Sequence, residues 1–208
     1  MMQAENQYTN EELGSVLETI EKYVFRNFTI CGKVANKAEI YMAKIAKQIY
    51  DGSILKSDEI CSEIKKGMVS DSEFINMVEI WSGNKSNKET IRYIFRKIHK
   101  FCDKSMELNI DASEVHIEHI MPENNSEWNM DESIHDEYLW RLGNLCLLDG
   151  RLNIRKSNHI FEIKKEAYIK SKIEPNHEIA IYEEWGKETI EERQKRLAEY
   201  AVKIWNFD

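Results

Sequence analysis

Two histidines and one carboxylate lie within four consecutive positions of the chain, as His116, Glu118 and His119. The apolar residues Val115 and Ile117 alternate with His116 and Glu118, and this period of two predicts a short β-strand. A neutral imidazole can accept a proton from water near pH 7, and a carboxylate oxygen is a ligand for a hard divalent cation. The segment is therefore predicted to carry proton-transfer or metal chemistry.

A second apolar run, from Leu145 to Leu148, follows Gly143 and Asn144, and Asn153 comes nine positions after Asn144. The sequence thus predicts a strand, a long loop, a second strand and a helical turn. Each of the two amides also has a structural interpretation, because asparagine is common in turns and at helix N-caps. We favour a functional role for both amides and keep the structural one open.

This order of motifs resembles the ββα-metal fold of HNH endonucleases. More narrowly, the chain resembles the nuclease half of GmrSD-type modification-dependent restriction enzymes, the domain of unknown function 1524. The resemblance is strong over residues 115–172 and weaker elsewhere, and Cys146 stands where threonine is more usual. The matching positions are His116–Pro122, Trp128, Arg141–Leu148, Asn153, Asn158–Phe161, Lys164, Tyr168, Ser171, Trp185, Arg193 and Trp205.

The resemblance implies an endonuclease that hydrolyses DNA phosphodiester bonds with Mg²⁺ or Mn²⁺, in a modification-dependent restriction or phage-defence system. Hydrolysis needs an activated water, so His119 is predicted to be the general base and Asn144 to orient it. Glu118 and Asn153 offer oxygen ligands, which suit Mg²⁺ or Mn²⁺ better than zinc. Because neighbouring strand residues point to opposite faces, either the strand twists after Glu118 or His119 acts from the strand end.

Further contacts to DNA are predicted around this centre. His116 shares a strand face with Glu118, so it is a candidate for an additional metal ligand or a phosphate contact, with a surface role equally open. Trp128 is predicted to anchor the acidic loop by packing rather than to stack on a base. The predicted substrate-binding residues are Arg155, Lys156, Asn158 and Lys164.

Two other functional classes were weighed against this one. A zinc metalloprotease needs H-E-x-x-H on a helix, whereas here the spacing is His-x-Glu-His on a predicted strand, so we exclude that class. A catalytically silent HNH-like module that only binds DNA or a protein partner remains the alternative. The presence of Glu118, His119, Asn144 and Asn153 together argues against it.

Charge is informative only locally. The whole chain has a net charge of −8, which does not favour nonspecific DNA binding. Residues 141–172, however, contain eight basic and three acidic side chains, while residues 111–140 contain nine acidic side chains and no Lys or Arg. A basic module beside an acidic loop can follow a phosphate backbone and attract a cation, although uneven surface charge explains the same pattern equally well.

The remaining sequence predicts a protein of the α+β class that is mostly helical, with a helical scaffold around the nuclease module. We expect a scaffold over 1–110, the module over 111–174, and a C-terminal helical segment over 175–208 that packs on the scaffold. No apolar run approaches the length of a membrane span, and the four scattered cysteines suit a reducing cytoplasm. The resemblance also implies a separate NTPase-like specificity domain or subunit, of the domain of unknown function 262 type, which these residues do not contain.

Helix faces and caps can also be predicted from spacing. One predicted face combines Leu13, Val16, Leu17, Ile20 and Val24. The clearest face is formed by Ile91, Ile94, Phe95, Ile98 and Cys102. Candidate helix starts are Ser70–Ser72 as an N-cap and the Ser86-to-Glu89 and Thr189-to-Glu192 pairs as capping boxes.

Overall fold

A computed structural model describes residues 8–103, 115–128, 130–156 and 158–207, without the side chains of residues 154–156. The described chain is α+β and mostly helical, which confirms the predicted class. The α-helices are α1 (Asn10–Val24), α2 (Ala35–Tyr50), α3 (Ser57–Lys66), α4 (Asp71–Ile80), α5 (Lys88–Cys102), α6 (Glu132–Tyr138), α7 (Gly150–Lys156), α8 (Phe161–Ile169) and α9 (Lys187–Ile204). The strands are β1 (Val115–His119) and β2 (Leu145–Asp149).

The chain divides into two compact units. Unit 1 comprises Met1–Met77 and Trp205–Asp208, and unit 2 comprises Val78–Ile204. The predicted three-segment division, with its boundaries near 110 and 174, stays a prediction. Among the described residues, no helix combines the length and the apolar character needed to cross a membrane.

Unit 1 is built on α1, α2 and α3. The helix α1 begins with a capping box, in which Thr9 and Glu12 each accept from the other's backbone N–H. Its predicted apolar face is partly wrong, because Leu17 and Val24 are exposed. Val16 and Ile20 of the predicted face do pack against the core, and the buried residues of α1 are Thr19 and Tyr23. The core residues are Tyr23, Ile45, Ile54, Ile60 and Ile64.

A π-helical segment, Phe25–Ile30, continues α1 and ends at Gly32, whose φ of +57° lies in the left-handed region that favours glycine. The next predicted helix start is confirmed, since the Ser70 hydroxyl accepts from the Glu73 N–H at the beginning of α4. In unit 1 the helix ends are therefore set by local side-chain and backbone bonds that the sequence allows one to anticipate.

In unit 2, α5 buries the predicted face. Its start was predicted one residue early, because the helix begins at Lys88 after Asn87 rather than at a box starting with Ser86. The start of α9, by contrast, was predicted too late. This helix begins at Lys187, and the Thr189 hydroxyl bonds to Gly186.

The sheet of unit 2 consists of β1 and β2, paired antiparallel with Val115 opposite Asp149 and His119 opposite Leu145. Both predicted strands are thus confirmed. The long loop between them contains the short helix α6, which its polar, acidic sequence did not reveal. The core behind the sheet consists of Ile120, Met121, Tyr138, Cys146, Leu148, Phe161, Ala167, Tyr168, Ile179, Trp185 and Ile190.

Candidate active site

Strand β1 places its two candidate residues differently. Glu118 lies within the strand opposite Cys146 and is 3% exposed. His119 is the last residue of the strand, so its ring is positioned at the strand end. This is the position required by the second of the two alternatives, in which the base acts from the strand end, and the role of His119 as a base stays a prediction.

The carboxylate of Glu118 is surrounded by polar partners from two helices. Its Oε1 lies 2.5 Å from Nζ of Lys164 in α8. The side chains of Tyr168 and Asn153 also favour its ionised form, although the Tyr168 hydroxyl has no hydrogen bond of good geometry among the described residues. Burial raises the pKa of Glu118, and these three partners offset part of that rise because they favour the ionised form. Two predicted metal ligands, Glu118 and Asn153, are therefore side by side.

Lys164 is buried, with 1% of the residue exposed. Besides the Glu118 carboxylate, its ammonium donates to the carbonyl oxygens of His119 at 2.6 Å and Ile120 at 2.9 Å. Burial lowers the pKa of Lys164, while the Glu118 charge acts in the opposite direction. This placement favours a positioning role over the predicted contact with substrate phosphate, because the ammonium faces the protein interior.

The imidazole of His119 is held by packing rather than by a hydrogen bond. Its ring meets that of Trp140 edge to face, with 4.6 Å between centroids and an interplanar angle of 90°. Its buried Nε2 has no hydrogen-bond partner within the described parts of the chain. Burial lowers the pKa of His119 to about 4, although the charge of Glu123 opposes the shift. The ring is therefore neutral at pH 7, the form that can accept a proton, although the lowered pKa makes it a weaker base than an exposed imidazole.

Asn144 fixes the backbone that leaves β1. Its Oδ1 accepts from the Met121 N–H at 2.8 Å and from the Trp185 indole at 3.1 Å. Its Nδ2 donates to the carbonyl oxygens of Met121 and Leu139, both at 3.0 Å. Its own carbonyl accepts from Ile120 N–H, directly after His119. Asn144 thus acts on the base through the main chain. In the described structure, none of its side-chain hydrogen bonds goes to the imidazole of His119.

Helix α9 supports this turn from behind. Arg193 is buried and donates to the carbonyl oxygens of Leu142, Gly143 and Leu145. Gln194 accepts from the Gly143 N–H at 3.1 Å. A Cβ on Gly143 would lie 2.1 Å from the carbonyl oxygen of Ile190, so only glycine allows the close approach of α9.

The other predicted residues are less closely involved. His116 is half-buried and lies on β1 opposite Leu148, and Asn158 is exposed. The side chains of Arg155 and Lys156 lie outside the described residues. Trp128 packs against the core and its indole donates to the His159 carbonyl, in agreement with the predicted anchoring role. The predicted chemical roles of all these residues stay predictions.

Sequence reasoning missed two contributors. No spacing signal identified Trp140, because an aromatic residue after a short helix has many possible neighbours. Gln194 was missed although it lies next to Arg193, because glutamine on a helix is usually solvated. Trp140 packs against the ring of His119 at the strand end, and Gln194 holds the turn before β2 through the Gly143 N–H.

A metal at this site was tested against the side chains present. The described residues hold no group of three or more His, Cys, Asp and Glu side chains arranged for a metal ion. The Glu118 carboxylate offers one oxygen ligand, and the Asn153 amide, which acts as a hydrogen-bond donor to that carboxylate, would offer a second once its oxygen turns towards the cation. Such a pair fits Mg²⁺ or Mn²⁺, which keeps several waters and shares substrate phosphates, and does not fit a zinc cage.

Comparison with known proteins gives one result. The family model described as GmrSD restriction endonucleases, C-terminal domain, matches residues 68–200. The matched range includes β1, β2 and every residue of the site above. No curated protein matches the chain.

Proposed function

We propose that this chain, which belongs to the family of GmrSD restriction endonuclease C-terminal domains, is an HNH-type, metal-dependent endonuclease acting on DNA. One observation carries the finer part of this proposal. The carboxylate of Glu118 and the amide of Asn153 meet beside a β-strand that ends in the neutral imidazole of His119. Oxygen ligands and a proton acceptor are the groups that hydrolysis of a phosphodiester requires.

The order of elements supports an HNH-like ββα module. Strand β1 carries Glu118 and His119, antiparallel β2 follows the Asn144 turn, and α7 carries Asn153. Helix α7 starts directly after β2, with the Asp149 side chain accepting from the Arg151 N–H. The short connection brings the amide of α7 back to the strand that carries the carboxylate.

In the proposed reaction, His119 takes a proton from water, and the hydroxide oxygen attacks phosphorus while the bond to the leaving 3′ oxygen breaks. The leaving oxygen receives a proton from solvent. Glu118 and Asn153 would hold a divalent cation, which when bound would offset the charge on the phosphate oxygens. Asn144 and Lys164 keep the main chain of His119 in place during these steps.

Selection of modified DNA is proposed to reside in a partner, an NTPase-like domain or subunit. The reason is that the basic residues of 141–172 supply contacts to phosphate, and such contacts position DNA without reading its sequence. This chain alone should cut DNA weakly and with little preference, and its DNA binding should weaken steeply with salt. A strong preference of the isolated chain for modified over unmodified DNA of one sequence would contradict this division.

The test of the proposed function is a plasmid-nicking assay. Supercoiled DNA should be nicked with Mg²⁺ or Mn²⁺, remain intact with EDTA, and be nicked again when excess Mn²⁺ is added. The matched control is His159→Ala, which removes an exposed histidine of the same unit and should leave nicking unchanged. Nicking that persists in EDTA, or that is absent with every divalent metal, would exclude the proposal, and the second result would favour a silent binding module.

A further inference from the structure

The carboxylate of Glu118, which is proposed to bind the divalent metal ion, already has the ammonium group of a lysine beside it. Nζ of Lys164 is 2.5 Å from Oε1 of Glu118, and both side chains are almost entirely buried, at 1% and 4% exposure. A surface lysine could swing away from its partner, but this ammonium is surrounded by protein.

The position of Lys164 follows from helical spacing. Phe161, Lys164 and Tyr168 recur at i, i+3 and i+7 of α8, so they share one helix face. Phe161 and Tyr168 belong to the core, which carries the ammonium inward with them. The stem of the lysine therefore starts from the core-facing side of α8.

The second role of the ammonium is to hold the main chain. It donates to the carbonyl oxygens of His119 and Ile120, the last residue of β1 and the next one. Charge compensation and placement of the base thus depend on the same atom. A substitution at this position should change both, and the two changes can be measured separately.

The charges of the site balance before any ligand arrives. Among the described residues, Glu118 and Lys164 form a pair of opposite charges, and their partners Asn153 and Tyr168 are uncharged. The more distant Glu123 and Lys88 act on His119 with opposite signs. The Lys164 ammonium therefore opposes a divalent cation at Glu118 until a DNA phosphate adds negative charge.

We propose that Lys164 is a positioning residue and the fixed counter-ion of Glu118, so that the site retains its divalent cation only together with a DNA phosphate. This inference rests on the proposed function, because it concerns the same cation and the same substrate. It predicts an order of events in which DNA and metal bind cooperatively. The charge of Lys164 thus keeps the site from holding a divalent cation when no DNA is bound.

The experiment measures binding of Mn²⁺ by electron paramagnetic resonance, with and without a short DNA duplex, at mildly alkaline pH. A His119→Ala background prevents cleavage of the duplex. With Lys164 present, DNA should tighten Mn²⁺ binding at least about ten-fold, because a like charge a few ångströms from the cation opposes binding in its absence. With Lys164→Met, binding without DNA should tighten and the effect of DNA should shrink.

Two variants separate charge from shape. Lys164→Arg keeps the charge and should keep the weak, DNA-dependent binding. Lys195→Met removes the same charge from an exposed position of α9, outside the basic residues of 141–172, and should change nothing. A merely structural role for Lys164 predicts weaker binding in Lys164→Met both with and without DNA.

If Lys164→Met folds poorly, thermal unfolding provides a second measurement. If Lys164 compensates Glu118, the double variant Glu118→Gln/Lys164→Met should melt at a higher temperature than Lys164→Met, because no buried charge is left alone. Equal melting temperatures, or Mn²⁺ binding that is unchanged or weaker in a folded Lys164→Met, would overturn the inference. Neither readout requires cleavage, so failure of the proposed nuclease function is scored independently in the plasmid assay.

Discussion

Both units of the molecule bury cations, and Arg26 in unit 1 and Lys164 in unit 2 are used differently. In unit 1, Arg26 is fully buried between the rings of Phe74 and Phe207, with its guanidinium 4.6 and 4.7 Å from their centroids. It also donates to the carbonyl of Trp205 and pairs with Asp71, whose side chain is 65% exposed. This cation joins distant parts of one unit, and its anionic partner remains in water.

In unit 2, by contrast, both members of the Glu118–Lys164 pair are buried. A buried pair adds little stability over apolar residues of the same volume, because two charges lose their hydration. Arg26 needs no explanation beyond packing and hydrogen bonds. The pair in unit 2 is better explained by function, since buried carboxylates with shifted pKa values concentrate at active sites.

A cavity of unit 1 offers a further contrast with the candidate active site. Unit 1 contains a cavity of about 830 Å³ lined by residues including Asn27, Lys33, Tyr41 and Glu73. Their polar groups are already engaged, since Asn27 bonds to the main chain of residue 67, Lys33 pairs with Glu73, and Tyr41 bonds to a backbone carbonyl. The volume of this cavity therefore gives no sign of chemistry, whereas the adjacent Glu118 and Lys164 side chains and the strand-end His119 mark the candidate active site.

The sharpest test of this contrast is His119→Ala. Loss of a general base should lower the cleavage rate about 10²–10⁴-fold while the melting temperature changes little. Rates should be measured with plasmid at saturating Mn²⁺. His159→Ala, at an exposed histidine, serves as the control, and near-normal cleavage by a folded His119→Ala variant would remove His119 from the mechanism.

A smaller effect is expected from Asn144→Ala, compared with Asn27→Ala in unit 1. Both asparagines are buried and bridge backbone segments, so each substitution should destabilise the protein by about 1–3 kcal/mol for each group left unsatisfied. Only Asn144 holds the backbone that follows His119, so only its loss should lower cleavage per folded molecule, by about ten-fold or more. Urea unfolding gives the stabilities, and equal losses of cleavage in both variants would contradict a special role for Asn144.

The sequence predicted the strands and the neighbours of the site well because those signals are local. Alternation over five residues defines β1, and an asparagine after Gly143 marks the turn into β2. Tertiary placement was harder. The spacing of Phe161, Lys164 and Tyr168 contained the information that the lysine is buried, yet its charge suggested the surface.

Other misses have different causes. In α1, apolar residues occupy more than one face, so spacing could not decide that Leu17 is left in solvent. The helix α6 was read as loop because its seven residues are mostly polar, although Asp131 followed by Ser133 is a recognisable N-cap. Contacts such as His119 with Trp140 depend on the path of the whole chain and have no local signature.

The next comparison is between two glycines, one close to a neighbouring backbone and one with open space around it. Gly143→Ala should destabilise the protein by about 1–3 kcal/mol, because the new Cβ would collide with the backbone of α9 at Ile190. Gly14→Ala, in the interior of α1 with open space around it, should instead stabilise by about 0.5–1 kcal/mol. Denaturant midpoints decide both, and a neutral Gly143→Ala would show that α9 is free to move away from the turn.

The smallest expected effect is the dependence of the free energy of unfolding on pH. It is expected from unit 2, because all six histidines lie within Val78–Ile204. His99 in α5 is buried, and its Nδ1 has no hydrogen-bond partner among the described residues. Burial lowers the pKa of His99, although the charges of Asp103 and Glu174 oppose this. The unfolded chain therefore binds a proton at His99 at a higher pH than the folded chain does.

It follows that the free energy of unfolding should fall as pH drops below about 6.5, the ordinary pKa of histidine, until the folded pKa of His99 is passed. His99→Gln removes this contribution, so its stability should depend less steeply on pH than that of the wild type. Urea unfolding between neutral and mildly acidic pH measures the difference, with the exposed His159→Gln as control. Parallel pH profiles for the wild type and His99→Gln would show that the fold tolerates a charged His99 and that burial of this histidine does not limit the acid stability of unit 2.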